Sequence, residues 1–420
     1  MALLAAVPAY GALGAPGDTP ASAAVAQDRV VSADPSDDTP HVLDGTVRAI
    51  AVVGDKAVVG GDFSQVRAAT GGPVHNVDNV FAYDLSTGAI DPAFTPHVDG
   101  PVHAIAPGPS ETVYLGGFFR HVNGGDNRGI TRVYLASGKR AGAFMKTRVD
   151  DAGVRTVEYR GGHLYVGGSF SGVNGTARTG LARLDPSTGA VDAGFAPRLS
   201  EPRSGRLAVI DLAVSPDGRR LVFDGNFREV NGYARPQIAM LSTASGRPTS
   251  WSTEMYRPHC RSAYDTYMRG IDFAPDGSYF VVTTTGGPRG DDKDTLCNTA
   301  ARWTTTATGP GQRPGWVNHT GGDALYAVAA TGSAIYVGGH QRWLDNPEGR
   351  DSAGPGAVSR PGIGALDPAT GRALSWNPKR RPRGHGVEVL TAYSGGLLVG
   401  SDTEWLADEF HARLGGFPLA

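Results

Sequence analysis

The amino-acid sequence predicts an all-β protein built from seven four-stranded antiparallel sheets. Three observations carry that expectation: a breaker-rich composition, a unit that recurs seven times, and two chain ends that complement one another. Of 420 residues, 60 are glycine and 29 are proline. Each glycine in a helix interior costs about 1 kcal/mol relative to alanine, so a mostly helical chain is excluded. No Gly-X-Y period runs through the sequence, which excludes collagen. Hydrophobic residues make up 40% of the chain, with 6 tryptophans, 14 tyrosines and 14 phenylalanines, enough apolar surface to build a core rather than remain disordered.

The repeat supplies the elements in order. Its first strand reads VRAIA from Val47, VHAIA from Val102, VRTVE from Val154 and VIDLA from Val209. Later copies read MRGID from Met268, LYAVA from Leu325 and VEVLT from Val387. Successive starts are about 52 to 62 residues apart, in the range of propeller blades. A tight turn follows, plainest as Pro216-Asp217-Gly218 and Pro275-Asp276-Gly277. The second strand ends in a glycine pair, as at Gly60-Gly61, Gly116-Gly117, Gly167-Gly168 and Gly338-Gly339. A loop containing V-N-G comes next, at Val122, Val173 and Val230. The third strand runs into a D-x-x-T-G turn, and the fourth carries an aromatic: Phe94, Phe144, Phe195, Trp251, Trp316 and Trp376. Four short strands with β-turn chemistry at each corner describe a β-propeller blade. Seven such sheets stacked radially bury both faces of each, and the aromatic reads as packing between blades.

The two ends complete the pattern. The last unit stops after three strands, in ARLGGFPLA, while Arg29 to Ala33 resembles a missing fourth strand. An N-terminal strand joining the last blade would close the ring and hide the sheet edges. Residues 29–420 are therefore expected as one propeller domain, preceded by a signal-like segment over residues 1–28. Met1 to Leu13 is small and apolar, and Ala21-Ser22-Ala23 is a candidate cleavage site. That run is too short to span a bilayer, and nothing later reaches transmembrane length. Two cysteines, Cys260 and Cys297, do not by number alone separate a disulfide from two thiols. Export makes the disulfide the expected state.

The segments LYVGGSFSGVNGTARTGLARLDPSTGAVDAGF and VIDLAVSPDGRRLVFDGNFREVNG resemble delta-60-type propeller repeats of secreted bacterial proteins. The third unit matches best, and the first, second and fourth are recognisable. The fifth lacks the glycine pair and the V-N-G loop; the sixth keeps the pair and replaces the loop. The resemblance implies the fold and secretion, and it implies no agreed activity.

Function is bounded first by what is missing. A net charge of −2 gives no global field to draw nucleic acid or an anionic membrane. The basic run Lys379-Arg380-Arg381-Pro382-Arg383 reads as a solvated loop. No H-E-x-x-H, G-x-S-x-G, Walker or dinucleotide motif is present, and no Cys/His spacing suits a metal, so no cofactor and no metal are expected. Insertions at Ser252–Tyr267, Gly286–Leu296, Arg342–Ser359 and Asn377–Gly386 belong to one face of a propeller, where binding loops concentrate.

Two groups of residues are candidates there. The second residue of each first strand gives the set Arg48, His103, Arg155, Ile210, Arg269, Tyr326 and Glu388. Six of these seven are polar within otherwise apolar strands, and they are expected at the channel mouth. Three arginines suit a carboxylate, phosphate or sulfated sugar; alternatively each satisfies carbonyls of a V-N-G loop or pairs with Glu388. The second group lies where the template breaks: His340, Gln341, Arg342, Trp343, His385, Asp402, Glu404 and His411. Stacking tryptophans, Trp343 and Trp405, would make a sugar cleft, and an Asp402/Glu404 pair would serve a glycoside hydrolase or lyase; alternatively these groups lock loops. The expectation is a secreted or cell-surface monomer that binds a glycan, an anionic small molecule or a protein as a binding or scaffold module. A carbohydrate-active propeller enzyme is the alternative.

Overall fold

The apolar first strands of the repeat form one edge of small antiparallel sheets. The computed structural model describes residues 25–258, 260, 264–287 and 295–419; the signal-like stretch up to residue 24 and parts of two insertions lie outside them. Among the described residues, seven sheets begin with Thr46–Val53, Val102–Gly108, Val154–Arg160, Val209–Val214, Met268–Phe273, Leu325–Ala330 and Val387–Tyr393. Each first strand pairs with the second, and the second with the third. The only helix described is a 3-10 turn at Gly142–Lys146, and among the described residues no helix is long and apolar enough to cross a membrane.

The fourth strand is shorter than the sequence suggests. It is fully formed in the fifth sheet, where Trp316–His319 pairs with Thr299–Thr304. In five other sheets it shrinks to one bridged residue: Ile90, Arg140, Val191, Pro248 or Ala373. Asx turns explain two of these, since the Asp91 and Asp192 carboxylates accept the amides of Ala93 and Gly194 at 2.9 and 2.8 Å and bend the chain away from the sheet. The bend carries the aromatic inward. Phe94, Phe144, Phe195, Trp251 and Trp376 are buried in clusters shared by adjacent sheets, as packing between units requires.

The V-N-G segments, expected as loops, are β-hairpins. His121–Val122 pairs with Gly125–Asp126, Gly172–Val173 with Thr176–Ala177, and Glu229–Val230 with Tyr233–Ala234. Asn123 and Gly124 have φ of +48° and +73°, and Asn174 and Gly175 of +51° and +76°, the signature of a two-residue type I′ turn. The asparagine also ties the hairpin down. Asn174 Oδ1 accepts the Arg148 amide at 2.9 Å, and its Nδ2 donates to the Gly189 carbonyl at 3.1 Å; Asn123 bonds His97 and Gly138 in the same way.

The first glycine of each pair makes room for the next sheet. A Cβ on Gly60, Gly116, Gly167 or Gly338 would stand 2.6 to 2.8 Å from Val102, Val154, Val209 or Val387 respectively. On Gly400 it would stand 2.4 Å from Val47, so the seventh sheet packs on the first. Leu398 and Leu414 share a cluster with Val47 and Ile50, and Thr391 Oγ1 donates to the Ile50 carbonyl at 3.0 Å.

The N-terminal segment meets the last sheet without becoming a strand. Ser32 and Ser36 donate their amides to Pro418 and Gly416 at 2.8 and 2.7 Å. Ser32 Oγ also accepts the Asp34 amide at 3.0 Å, and this local turn, with Pro35 behind it, stops a ladder from forming. Val31 packs among Tyr336, Trp376 and Phe417, and Trp376 Nε1 donates to the Ser32 carbonyl at 2.8 Å.

Candidate binding site in the central cavity

In every sheet the first and second strands lose register at one place. The breaks fall between Val47 and Ala49, Val102 and Ala104, Val154 and Thr156, Val209 and Leu212, Met268 and Ile271, Leu325 and Ala327, and Val387 and Val389. The first residue passed over in each is Arg48, His103, Arg155, Ile210, Arg269, Tyr326 or Glu388, the set singled out in the sequence; the fourth and fifth breaks also pass over Asp211 and Gly270. A β-bulge takes a residue out of the ladder and re-aims its side chain. All seven line one cavity of about 1090 Å³, together with residues further along each first strand.

The fourth and fifth sheets skip two residues, for a visible reason. Asp224 and Thr283 stand where the other sheets have the first glycine of the pair. Asp224 Oδ1 accepts the Asp211 amide and Thr283 Oγ1 the Gly270 amide, both at 3.0 Å. A side-chain oxygen thus replaces the backbone acceptor.

The cationic groups at the bulges differ in how they are satisfied. Arg48 approaches Glu388 at 3.6 Å. Arg269 donates to the Met268 carbonyl at 2.6 Å and lies over the Tyr326 ring. Arg155 has neither a hydrogen bond nor an ion pair among the described residues; its guanidinium lies 5.3 Å from the centre of the Phe118 ring. The expected arginine bonds to V-N-G carbonyls are not made, whereas the Arg48–Glu388 pairing is. Burial, with Arg48 and Arg155 adding to it, pushes His103 down to about 3 and keeps it neutral. Burial followed by repulsion from Arg269 and Arg48 lowers Arg155. Burial raises the Glu388 carboxyl. Arginine keeps its proton in proteins, so three guanidiniums gather at this end of the cavity, with the carboxyls of Glu388 and Asp265 in the same lining.

A second tier of acids lines the cavity: Glu158, Asp211 and Asp272. Each reaches the next sheet's first strand, accepting the amides of Val214, Ile271 and Ala330 at 2.7, 2.8 and 2.7 Å. Burial pushes them up to about 7, 6 and 7 respectively. Sequence reasoning passed over these clasps, although the signal is there: VRTVE, VIDLA and MRGID each place an acid inside an apolar strand.

The second candidate group does not gather in one place. His340 joins the cavity rim, its Nδ1 2.9 Å from the Tyr326 hydroxyl and 3.2 Å from the His385 carbonyl. Asp402 is a loop lock: its oxygens accept the His385 and Gly386 amides at 2.6 and 3.0 Å. Glu404 lies 3.9 Å from Arg413, and His411 is buried beside His41. Arg342 is held by Asp323 through two bonds of 2.9 Å. Gln341 is fully buried, and its side-chain oxygen and nitrogen make no hydrogen bond. The tryptophan faces expected to stack on sugar already carry guanidiniums, Arg342 over Trp343 and Arg381 over Trp405.

The basic run is not a solvated loop. Lys379 and Arg381 face Asp408, but the Arg380 side chain has no exposed surface. It donates to Thr403 Oγ1 at 2.6 Å and to the Gly339 carbonyl at 3.1 Å, and lies 3.7 Å from Asp402. Cys260 and Cys297 form the expected disulfide. It joins two loop residues, and both are buried in the fifth-sheet cluster with Trp303 and Met268.

No protein-family description and no curated protein sequence matches the chain. Among solved structures, that of U3-55K is similar with a TM-score of 0.56 at 11% identity, over 92% of this chain and 100% of that one. The WD40 β-propeller domain of Doa1 gives a TM-score of 0.48 at 12% identity, covering 90% and 92% of the two chains. The computationally designed Ika8 protein gives 0.47 at 14%, covering 89% and 96%. At such identities the likeness concerns the fold alone; the sheets described above make this chain an all-β protein of repeated small antiparallel sheets.

Proposed function

We propose that the chain is an exported seven-bladed propeller that binds an anionic ligand at the mouth of its central cavity. One observation carries this reading: seven bulges converge on that cavity and bring three arginines into it, of which only Arg48 is paired with a carboxylate. Arginine forks match carboxylate, phosphate and sulfate geometry, and an excess of guanidinium in a recess focuses the field on an anion. The packing of the seventh sheet on the first and the lodging of Val31 beside Phe417 support a closed ring. The disulfide and the delta-60-like repeats support a secreted or cell-surface setting. In this reading the propeller is an interaction or scaffold module, and the insertions around the mouth select what reaches the site.

Glycan-array screening and calorimetric titration of the wild type and of an Arg48→Ala, Arg155→Ala, Arg269→Ala triple variant test this. Loss of anion binding in the triple variant is expected. Equal binding by the two proteins removes the arginines as the site.

A further inference from the structure

We propose that the mouth holds an off-axis receptor, centred on Arg155, for a carboxylate carried on a six-membered ring. This rests on the reading above that the mouth takes an anion, and it narrows both the place and the ligand class.

The three arginines are not equivalent. Arg48 has Glu388, and Arg269 has backbone carbonyls. Arg155 has no such partner among the described residues, and its Nε, like that of Arg48, is buried without an acceptor. Guanidinium has five donors in a fixed fork, and a largely buried one normally has acceptors. What holds Arg155 is aromatic. Phe118 lies beneath the guanidinium, and the His103 ring meets Phe118 at 4.9 Å between centroids. A cation–π contact fixes the plane of the guanidinium without consuming a single N–H, so the fork is oriented and its donors remain open.

Phe118 departs from the repeat. The residue after the glycine pair is Asp62, Ser169, Asn226, Thr285, His340 or Asp402 in the other six units. Three of those polar side chains tie down the segment that leads into a first strand: Asn226 accepts the Ala208 amide, His340 that of Ala324, and Asp402 those of His385 and Gly386. Phe118 does no such work and leaves 37% of its surface exposed. A Cβ on Gly153, just ahead of the third sheet, would come within 2.6 Å of the Phe118 ring, so the neighbouring sheet leaves space for it. An exposed aromatic beside an open fork fits an acid whose oxygens engage Arg155 while its ring covers Phe118. Neutral His103 adds a hydrogen-bonding group without adding charge. Phe118 is then a positioning residue for Arg155 as well as a contact surface.

Calorimetric titration of the full chain with benzoate, glucuronate, acetate, glucose and inorganic sulfate tests this. At least one ring acid is expected to bind about tenfold or more tighter than acetate, the scale of one charge-assisted contact plus apolar cover. Which ring acid it is separates an aromatic from a sugar source, and either supports the proposal. Phe118→Leu should erase the margin over acetate, and Phe118→Tyr should keep it. Arg155→Lys should weaken the ring acid by about tenfold, because an ammonium lacks the fork, and Arg381→Ala, at an exposed pair with Asp408 outside the cavity, should leave it within about threefold. Thermal midpoints report whether each variant is folded, and the exposed Phe118 pair serves if the Arg155 variant is not. Acetate or sulfate binding as tightly as both ring acids, with Phe118→Leu silent, overturns the off-axis receptor and leaves the anion-binding mouth standing. No binding of any of the three types of anion overturns both.

Discussion

Arg380 shows how much one side chain can hold. Its guanidinium joins Thr403, the Gly339 carbonyl and Asp402 across two sheets. Removing one partner of a buried polar set leaves the others desolvated and unpaired. Arg380→Ala is therefore expected to destabilise the protein by about 3 kcal/mol or more, measured by chemical denaturation. Arg381→Ala, at an exposed pair with Asp408, should change stability by less than about 1 kcal/mol. The sequence offered no way to separate the two, because a run of basic residues looks the same whether one member faces inward or none does. The ring set was legible for the opposite reason. A polar residue at a fixed place in six of seven apolar strands has few places to go except a shared interior.

At the scale of the element, the hairpins and the clasps carry the argument. Asn-Gly flanked by strand-forming residues is the strongest short-range hairpin signal, and reading V-N-G as loop overlooked it. Asn174→Ala would lose two side-chain bonds and place alanine at positive φ. A loss of about 1–2 kcal/mol is expected, read from the denaturation midpoint. The short fourth strands were harder to foresee, since the aspartate that starts an Asx turn also suits the end of a strand. The clasps make a pH-dependent contribution. Glu158, Asp211 and Asp272 hold protons in the folded chain up to about 7, 6 and 7, against ordinary values of 4.5, 3.8 and 3.8. Folded protein therefore binds extra protons from about pH 4 to about pH 7, so the stability they contribute is present below about 4 and is lost as pH rises through 6 to 7. His41 and His103, pushed down to about 4 and about 3 by burial, act in the opposite sense below about 6.5. A comparison with Asp272→Asn, which keeps an acceptor for the Ala330 amide, cancels them. Relative to that variant, wild type should lose stability across this window, and a constant difference would sink the assignment.

For the whole molecule, the N-terminal segment is the piece most distant in sequence from what it covers. Val31 lies among Tyr336, Trp376 and Phe417, and Ser32 and Ser36 bond the last strand. Deletion through Ser36 would uncover those aromatics and free two carbonyls on an edge. A lowered thermal midpoint and concentration-dependent association are expected, checked by calorimetry and light scattering; an unchanged midpoint would show that the last sheet stands without the segment. The complementary ends had indicated this docking, but not that it would be made by side chains and two backbone bonds rather than a ladder. The seven bulges have a wider consequence. Pairing resumes on either side of each one, so the frame is indifferent to which side chain occupies it. Arginine, histidine, tyrosine and glutamate stand on the one-residue form of the bulge, and isoleucine and Arg269 on the two-residue form. The interior surface is thus a register of seven independent characters, and a protein with this frame changes what it recognises by rewriting characters while its scaffold stays the same.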